Sequence, residues 1–349
     1  MTHYTSITNQ TLVEIGESWV QDNADQYAWT KIPKCRILGM AAGVGTTTYQ
    51  LPALDNFLLK QDGMQEWGYG LARRAPRDLN KVSVSVTPSV QDITPLTRPM
   101  LSTAESESIW ADLMSNIIPG QLAMLYQGIE QKLAASVISG SFGQSKTFSG
   151  GNPLDTYLEN ADMDPVGDIL IALEAEGLRW KKKATGGSLA MFISQRVVDL
   201  FQRHPAFSGA SYNSATGAGV PQAVPRQAVY DHLRAVLNVD EVIELSAVSD
   251  LKSDGTGNRL GQTSAPEVIG RDVLAFHVLD RNKSRNLAAN PFDTPEGSIC
   301  LFEAEEPTVT MAEDADTKVV KFNGDAEFAL ASPRNGSFGI FYPTAQLFS

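Results

Sequence analysis

The sequence is poor in the residues that most often carry out chemistry. Its 349 residues include four histidines (His3, His204, His232 and His277) and two cysteines, Cys35 and Cys300. No two histidines stand four apart and HExxH is absent, which excludes the helical zinc motif. The cysteines form no CxxC pair, and a bridge between them would need the fold to bring them together in a chain read as cytoplasmic, where thiols stay reduced. The four histidines read as surface or helix-end residues, with His204 closing a helix before Pro205. GxSxG and GxxxxGK[ST] are also missing, so neither a nucleophile elbow nor a P-loop is encoded.

Other absences narrow the class further. No apolar run approaches the roughly 20 residues needed to cross a bilayer, and the opening MTHYTSITNQTLVEIGESWV lacks the basic start and apolar stretch of a secretory signal. Positive charge is scarce. Lys and Arg number 28 against 40 Asp and Glu, a formal net charge of −12. Affinity for DNA comes largely from cations that neutralise phosphates, so a protein that reads or packs DNA directly is disfavoured. The acidic stretch Asp250–Asn258 lacks the alternating oxygen ligands and terminal Glu of a calcium loop and reads as a hydrated loop. Gly43-Val44-Gly45 and Gly186-Gly187 stand alone and read as turns. Lys181-Lys182-Lys183 suits a helix C-terminus, where cations complement the macrodipole. Neither catalytic residues, nor a cofactor site, nor metal ligands emerge, and the chain reads as a non-enzyme.

Structural signals, by contrast, are plentiful. Leu12, Ile15, Trp19 and Val20 recur at helical spacing. The polar stretch from Ala24 to Pro33 that follows is expected to form an arm lying on another surface. Thr46–Leu51 favours a strand. In Lys81–Thr87, Val82, Val84 and Val86 alternate with Ser83, Ser85 and Thr87, the period of a strand with one wet face. Between them lie Trp67, Tyr69, Arg73, Arg74 and Arg77, at the tip of either a long projecting hairpin or an ordinary one.

Pro119–Ser139 carries the stripe Leu122, Leu125, Ile129, Leu133 and Val137, with Pro119 expected in its first turn and a shorter apolar pattern, Ile109–Ile117, running into it. Residues 140–162 read as a loop. Asp164-Pro165 opens a helix that closes at Gly177. Leu189–Ile193 is a buried strand, and Ser194 is placed to cap the next helix. Arg226–Leu237 is a helix; Val242–Val248 and Asp272–Leu279 are strands. The C-terminal part divides into Thr308–Met311, Lys318–Phe322, Glu327–Ala331 and Phe338–Tyr342, with Asn323-Gly324 and Asn335-Gly336 as turns. The fold class is α+β.

This order resembles the major capsid proteins of tailed bacteriophages, the HK97-like fold. The stretches that carry the resemblance are Arg74-Ala75-Pro76 before the alternating strand, the long helix Pro119–Ser139, the Asp164–Gly177 helix, the strand–helix unit ending His204-Pro205, and Arg226–Val248 with its Leu-Asn-Val-Asp-Glu-Val turn. Arg77 stands where the family often has Gly.

The resemblance implies an N-terminal arm (1–43), an extended E-loop hairpin (44–100), a peripheral domain (101–161 and 301–349) with spine helix 119–139, and an axial domain (162–300). It implies a non-enzymatic subunit that assembles with itself into hexamers and pentamers, forming an icosahedral head shell around phage double-stranded DNA held without sequence-specific binding. The implied location is the virion, with assembly in the host cytoplasm and no membrane. A portal protein is implied as partner, and decoration proteins are a further option. The sequence opens directly on the arm, which predicts a separate scaffolding protein. Inter-subunit contacts are expected from Leu12, Ile15 and Trp19 in the arm and from Trp67, Tyr69, Arg73 and Arg74 at the hairpin tip. An encapsulin-like protein compartment and a tail or baseplate component remain alternatives.

Overall fold

The computed structural model describes residues 9–36, 47–53, 80–96, 107–160, 162–204, 207, 224–245, 273–287, 289, 295–314, 319–333 and 336–343. Two sheets organise them. The first comprises β4 (Gln144–Ser145), β5 (Ser188–Ser194), β6 (Glu241–Leu245), β7 (Leu274–Leu279) and β11 (Gly339–Phe341), in the order β4-β11-β7-β5-β6. The second comprises β1 (Lys34–Arg36), β2 (Thr47–Ala53), β3 (Asn80–Leu96), β8 (Ser284–Asn286), β9 (Cys300–Asp314) and β10 (Val319–Ala331), in the order β2-β3-β10-β9-β1-β8.

Strands β5 and β7 of the first sheet are buried on both faces, which explains their unbroken apolar sequences. Strand β5 runs parallel to β6 and antiparallel to β7. Leu189, Met191 and Ile193 face one core with Leu274, Phe276 and Val278, while Ala190, Phe192 and Ala275 face the other. Helices α4 (Pro165–Ala175), α5 (Leu178–Thr185), α6 (Gln195–Arg203) and α7 (Arg226–Leu237) contribute buried residues to the first core.

Local chemistry sets their ends. Asp164 accepts a hydrogen bond from the Gly167 amide at 3.0 Å, with Pro165 at the first helical position. Gly177 takes φ of 62°, so the chain turns from α4 into α5 at a residue without a Cβ. Lys182 and Lys183 lie in the last turn of α5, as the macrodipole favours. Ser194 departs from expectation: it precedes α6, but its hydroxyl accepts from the Val273 amide and makes no cap bond. The neighbouring strand captures the group that would otherwise cap the helix. Residues 140–162 are likewise more than a loop, because Leu154, Tyr157 and Leu158 bury one face of a short helix, α3 (Leu154–Leu158).

The second core is built on α2 (Glu107–Val137), a single helix of 31 residues. At 1.5 Å per residue it is about 46 Å long. Pro119 lies inside it and does not open it. Proline removes one backbone hydrogen bond there, and the buried residues on both sides, Ile118 and Leu122, hold the helix continuous. Leu125, Ile129, Leu133 and Val137 pack on Trp29, Ile32, Phe192, Leu301 and Phe328. The polar-looking stretch after α1 (Asn9–Asn23) therefore enters the body of the fold, through Ala28, Trp29, Ile32 and Cys35, each at most 1% exposed.

In the second sheet, β9 and β10 form a long antiparallel pair. Asn323-Gly324 makes no turn. The chain passes straight through it, paired with Ile93 and Asp92 on β3, and a register shift between Gly324 and Ala326 absorbs the irregularity. Strand β1 lies parallel between β8 and β9, matching Lys34 to Ser284 on one side and to Leu301 on the other. The two cysteines fall on these adjoining strands; both are buried and both remain thiols.

Candidate inter-subunit surface

The N-terminal segment is fastened to the long helix by aromatic packing. Tyr126 on α2 lies edge-on to Trp19, Tyr27 and Trp29, with ring centroids 5.1, 5.2 and 4.8 Å away. Such pairs add about 0.5–1.5 kcal/mol each beyond their buried area. The Trp29 amide donates to the carboxylate of buried Glu130 at 3.1 Å, and Lys34 Nζ sits 4.5 Å above the Trp29 ring. Burial first, then the Glu306 and Glu303 carboxylates, push the Tyr126 phenol up to about 12.

Of the residues expected to meet a neighbour, Ile15 and Trp19 are part-buried on α1, and Trp19 makes its described contacts within its own chain. The Leu12 side chain lies outside the described residues, as do Trp67, Tyr69, Arg73 and Arg74. Beside Trp19 a groove of about 410 Å³ opens between α1 and Pro119 of α2. Its lining combines the apolar Ile15, Trp19 and Pro119 with the polar Glu14, Ser18, Asp22 and Asn23. Helix α1 carries Glu14, Glu17 and Asp22 and no basic residue.

Strand β3 changes partner along its length. Thr87–Leu96 pairs with β10, whereas Asn80–Val86 pairs with β2, from Val86 opposite Thr47 to Asn80 opposite Ala53. Past β10 the sheet therefore continues, among the described residues, as a two-stranded ribbon on the order of 20 Å long at the usual strand rise.

The described residues hold no group of three His, Cys, Asp or Glu placed to bind a metal, and no described helix is long and apolar enough to cross a membrane. Contrary to the sequence reading, His277 is neither on the surface nor at a helix end. It is fully buried in β7, with Nε2 3.0 Å from the Val137 carbonyl at the end of α2 and Nδ1 3.0 Å from the Ser298 hydroxyl. The neutral ring satisfies both contacts if Nε2 donates and Nδ1 accepts. Burial lowers its pKa to about 4, against the weaker opposing effect of the Val137 bond. Gly339 permits this seat, since a Cβ there would stand 2.3 Å from Nδ1. His204 is also buried, its ring beside the Asn160 carbonyl at 3.2 Å. Both imidazoles tie elements together.

Over 96% of its length the chain is similar to a phage-related protein from Bordetella bronchiseptica RB50, matching 97% of that chain at 12% identity and a TM-score of 0.58. The two share a fold. Looser likenesses run to a virus-like particle from Pyrococcus furiosus (9% identity, 94% of this chain and 98% of that one, TM-score 0.49) and to the mature capsid of bacteriophage PhiM1 (8%, 90% and 86%, TM-score 0.44). No family profile and no curated protein matches the sequence.

Two polar clusters among the described residues form internal joints: Asp168 accepts from the Ser149 amide and hydroxyl and from the Tyr157 hydroxyl, and Asp280, in the turn before β8, clasps Arg285 of that strand. The sequence pattern located the strands of the ribbon and helix α1. It missed Trp29 and His277, whose roles depend on partners far along the chain; a lone Trp in a polar stretch was the one available hint for the first.

Proposed function

We propose that this chain is a shell-forming subunit, the major capsid protein of a tailed bacteriophage, and that it acts by assembly and not by catalysis. The observation that carries the reading is the ribbon of β2 and β3. A two-stranded ribbon is marginal in water without a third strand or a packed face, so Asn80–Val86 and its partner gain most by lying on another subunit. The fold shared with the phage-related protein supports this, as does the capsid-like order of sequence features. In this reading residues 1–43 are the arm, 44–100 the E-loop, 101–161 with 301–349 the peripheral domain, and 162–300 the axial domain around the centre of each hexamer or pentamer.

The mechanism is interface physics. Head-to-tail contacts between identical subunits close into rings when the rotation allows it. Arms and loops that reach over neighbours add many weak contacts, whose combined strength exceeds that of any one. With a net charge of −12, a wall of such subunits encloses double-stranded DNA without gripping it. A separate scaffolding protein directs closure, and the portal protein occupies one vertex.

Negative-stain microscopy of the expressed protein, with and without its candidate scaffold, tests the reading: closed shells of uniform size are expected. Removing residues 62–78 should abolish them. Tubes or open rings would point to a tail component, shells filled with protein cargo to a compartment, and a monomer under all conditions would overturn the proposal.

A further inference from the structure

We infer that the β8 edge of the second sheet is a docking site for an extended acidic segment of a partner protein. The inference goes beyond the shell reading and does not depend on it. Residues 31–36 (KIPKCR) and 281–290 (RNKSRNLAAN) each carry three bases and no acid, in a chain whose formal net charge is −12. Strand pairing brings the two segments together: β1 lies parallel to β8, with Lys34 opposite Ser284 and Arg36 opposite Asn286. Lys283 Nζ stands 3.4 Å from the Lys31 carbonyl. The fold thus gathers Lys31, Lys34, Arg36, Arg281, Lys283 and Arg285 on neighbouring segments of an acidic molecule.

Part of that charge is already engaged. Arg285 is held by buried Asp280 through bonds of 2.6 and 3.0 Å, Lys283 pairs with Glu241 at 2.8 Å, and Lys34 lies over the Trp29 ring. Glu303 stands opposite Arg36 on β9 and offsets its charge in part. Lys31, Arg36 and Arg281 are exposed and form no ion pair among the described residues. A surplus of positive charge therefore remains along this edge.

The backbone sets the class of acid that fits. Among the described residues β8 ends the sheet. The Lys34 amide donates to the Lys283 carbonyl at 2.8 Å, and the Leu287 amide to the Arg36 carbonyl at 2.9 Å. In a parallel ladder this turns residues 283, 285 and 287 toward β1, so Ser284 directs its N–H and C=O to the opposite side, out of the edge. An edge that offers a donor and an acceptor together suits another peptide backbone, the strand-addition mode of recognition. A nucleic-acid backbone brings acceptors alone, and the net charge of the chain repels it. Basic side chains on an edge turn away strands that carry no acid, whereas opposite charges on adjacent strands attract. The occupant is therefore an extended segment with Asp or Glu at alternate positions, which keeps one of its faces acidic.

The test measures binding of a short synthetic peptide of alternating Glu and Val to the purified full chain, by fluorescence anisotropy at low and high salt. Saturable binding that weakens with salt is expected, and none with the counterpart of alternating Lys and Val. Two variants separate charge from pairing, each first checked by circular dichroism and thermal melting for a wild-type fold. Lys31→Glu/Arg281→Glu should weaken binding about tenfold or more, because two attractions become repulsions. Ser284→Pro removes the outward N–H and leaves every charge and every bond to β1 in place, since proline is tolerated on an edge strand where its nitrogen faces away from the ladder. It should weaken binding about fivefold, the worth of one hydrogen bond. A variant that fails to fold is replaced, the first by Lys31→Gln/Arg281→Gln and the second by wild type with the peptide N-methylated throughout; a fall in affinity is again expected. No saturable binding of the acidic peptide, or binding that both changes leave intact, would overturn the site. Binding lost with the charges but unchanged in Ser284→Pro would overturn the strand pairing, and a short DNA duplex that binds more tightly than the peptide would overturn the choice of partner. None of these outcomes depends on shell formation, so the shell reading stands or falls separately.

Discussion

Acidifying the isolated chain from pH 7.5 to 5 is expected to remove about 2 kcal/mol of folding stability through His277 alone. The folded imidazole has its pKa held near 4 by burial, against 6.5 for an ordinary one. Its folded value is depressed, so the unfolded chain binds the extra proton first as pH falls. Stability from this group is complete above about pH 6.5, declines from there to about pH 4, and levels off below. Each pKa unit is worth 1.36 kcal/mol, which sets a ceiling of about 3 kcal/mol for the whole window. His277→Gln supplies the control. Its side-chain amide can still donate to the Val137 carbonyl but does not titrate. Urea unfolding followed by tryptophan fluorescence, at half-unit steps between pH 7.5 and 4.5, gives the slope for both proteins; carboxylates contribute equally and cancel. If wild type and variant lose stability in parallel, the ring titrates as though solvent reached it, and the buried, neutral assignment is wrong.

Two further outcomes follow from the same contacts. Asp280→Ala leaves the largely buried Arg285 guanidinium without the carboxylate that holds it by two bonds, and also strips acceptors from the Asn282 and Glu296 amides; a loss of about 3–5 kcal/mol is expected in chemical denaturation. Trp29→Ala empties a fully buried site against Tyr126, at a cost of about 3–5 kcal/mol; proteolysis should then cut between α1 and β1 before it touches the remainder.

The elements legible in the sequence are those whose causes are local. Asp164, Pro165 and Gly177 fix the ends of α4 by their own side-chain chemistry, and the unbroken apolar run of β5 needs only its composition to announce a buried strand. The alternation of Val82, Val84 and Val86 likewise marked β3, though not how far it extends. Pro119 misled, because a proline at a helix start and one tolerated within a helix look alike until the packing of Ile118 and Leu122 is known. Asn323-Gly324 misled for a related reason: a turn dipeptide yields when strands on both sides supply hydrogen bonds through it. At the candidate surface, spacing identified α1 as amphipathic, but nothing local shows that Pro119 would complete a groove beside it.

The position of β1 has a consequence for how the molecule comes into being. Lys34 finds its partners at Ser284 and Leu301, so a segment made among the first must wait for residues made near the last. Contacts so distant along the chain are slow to close, and a nascent chain lacking β9 leaves one edge of β1 without its ladder. A chain that stops short of β9 is thus left with an opening strand that has β8 on one side and nothing on the other.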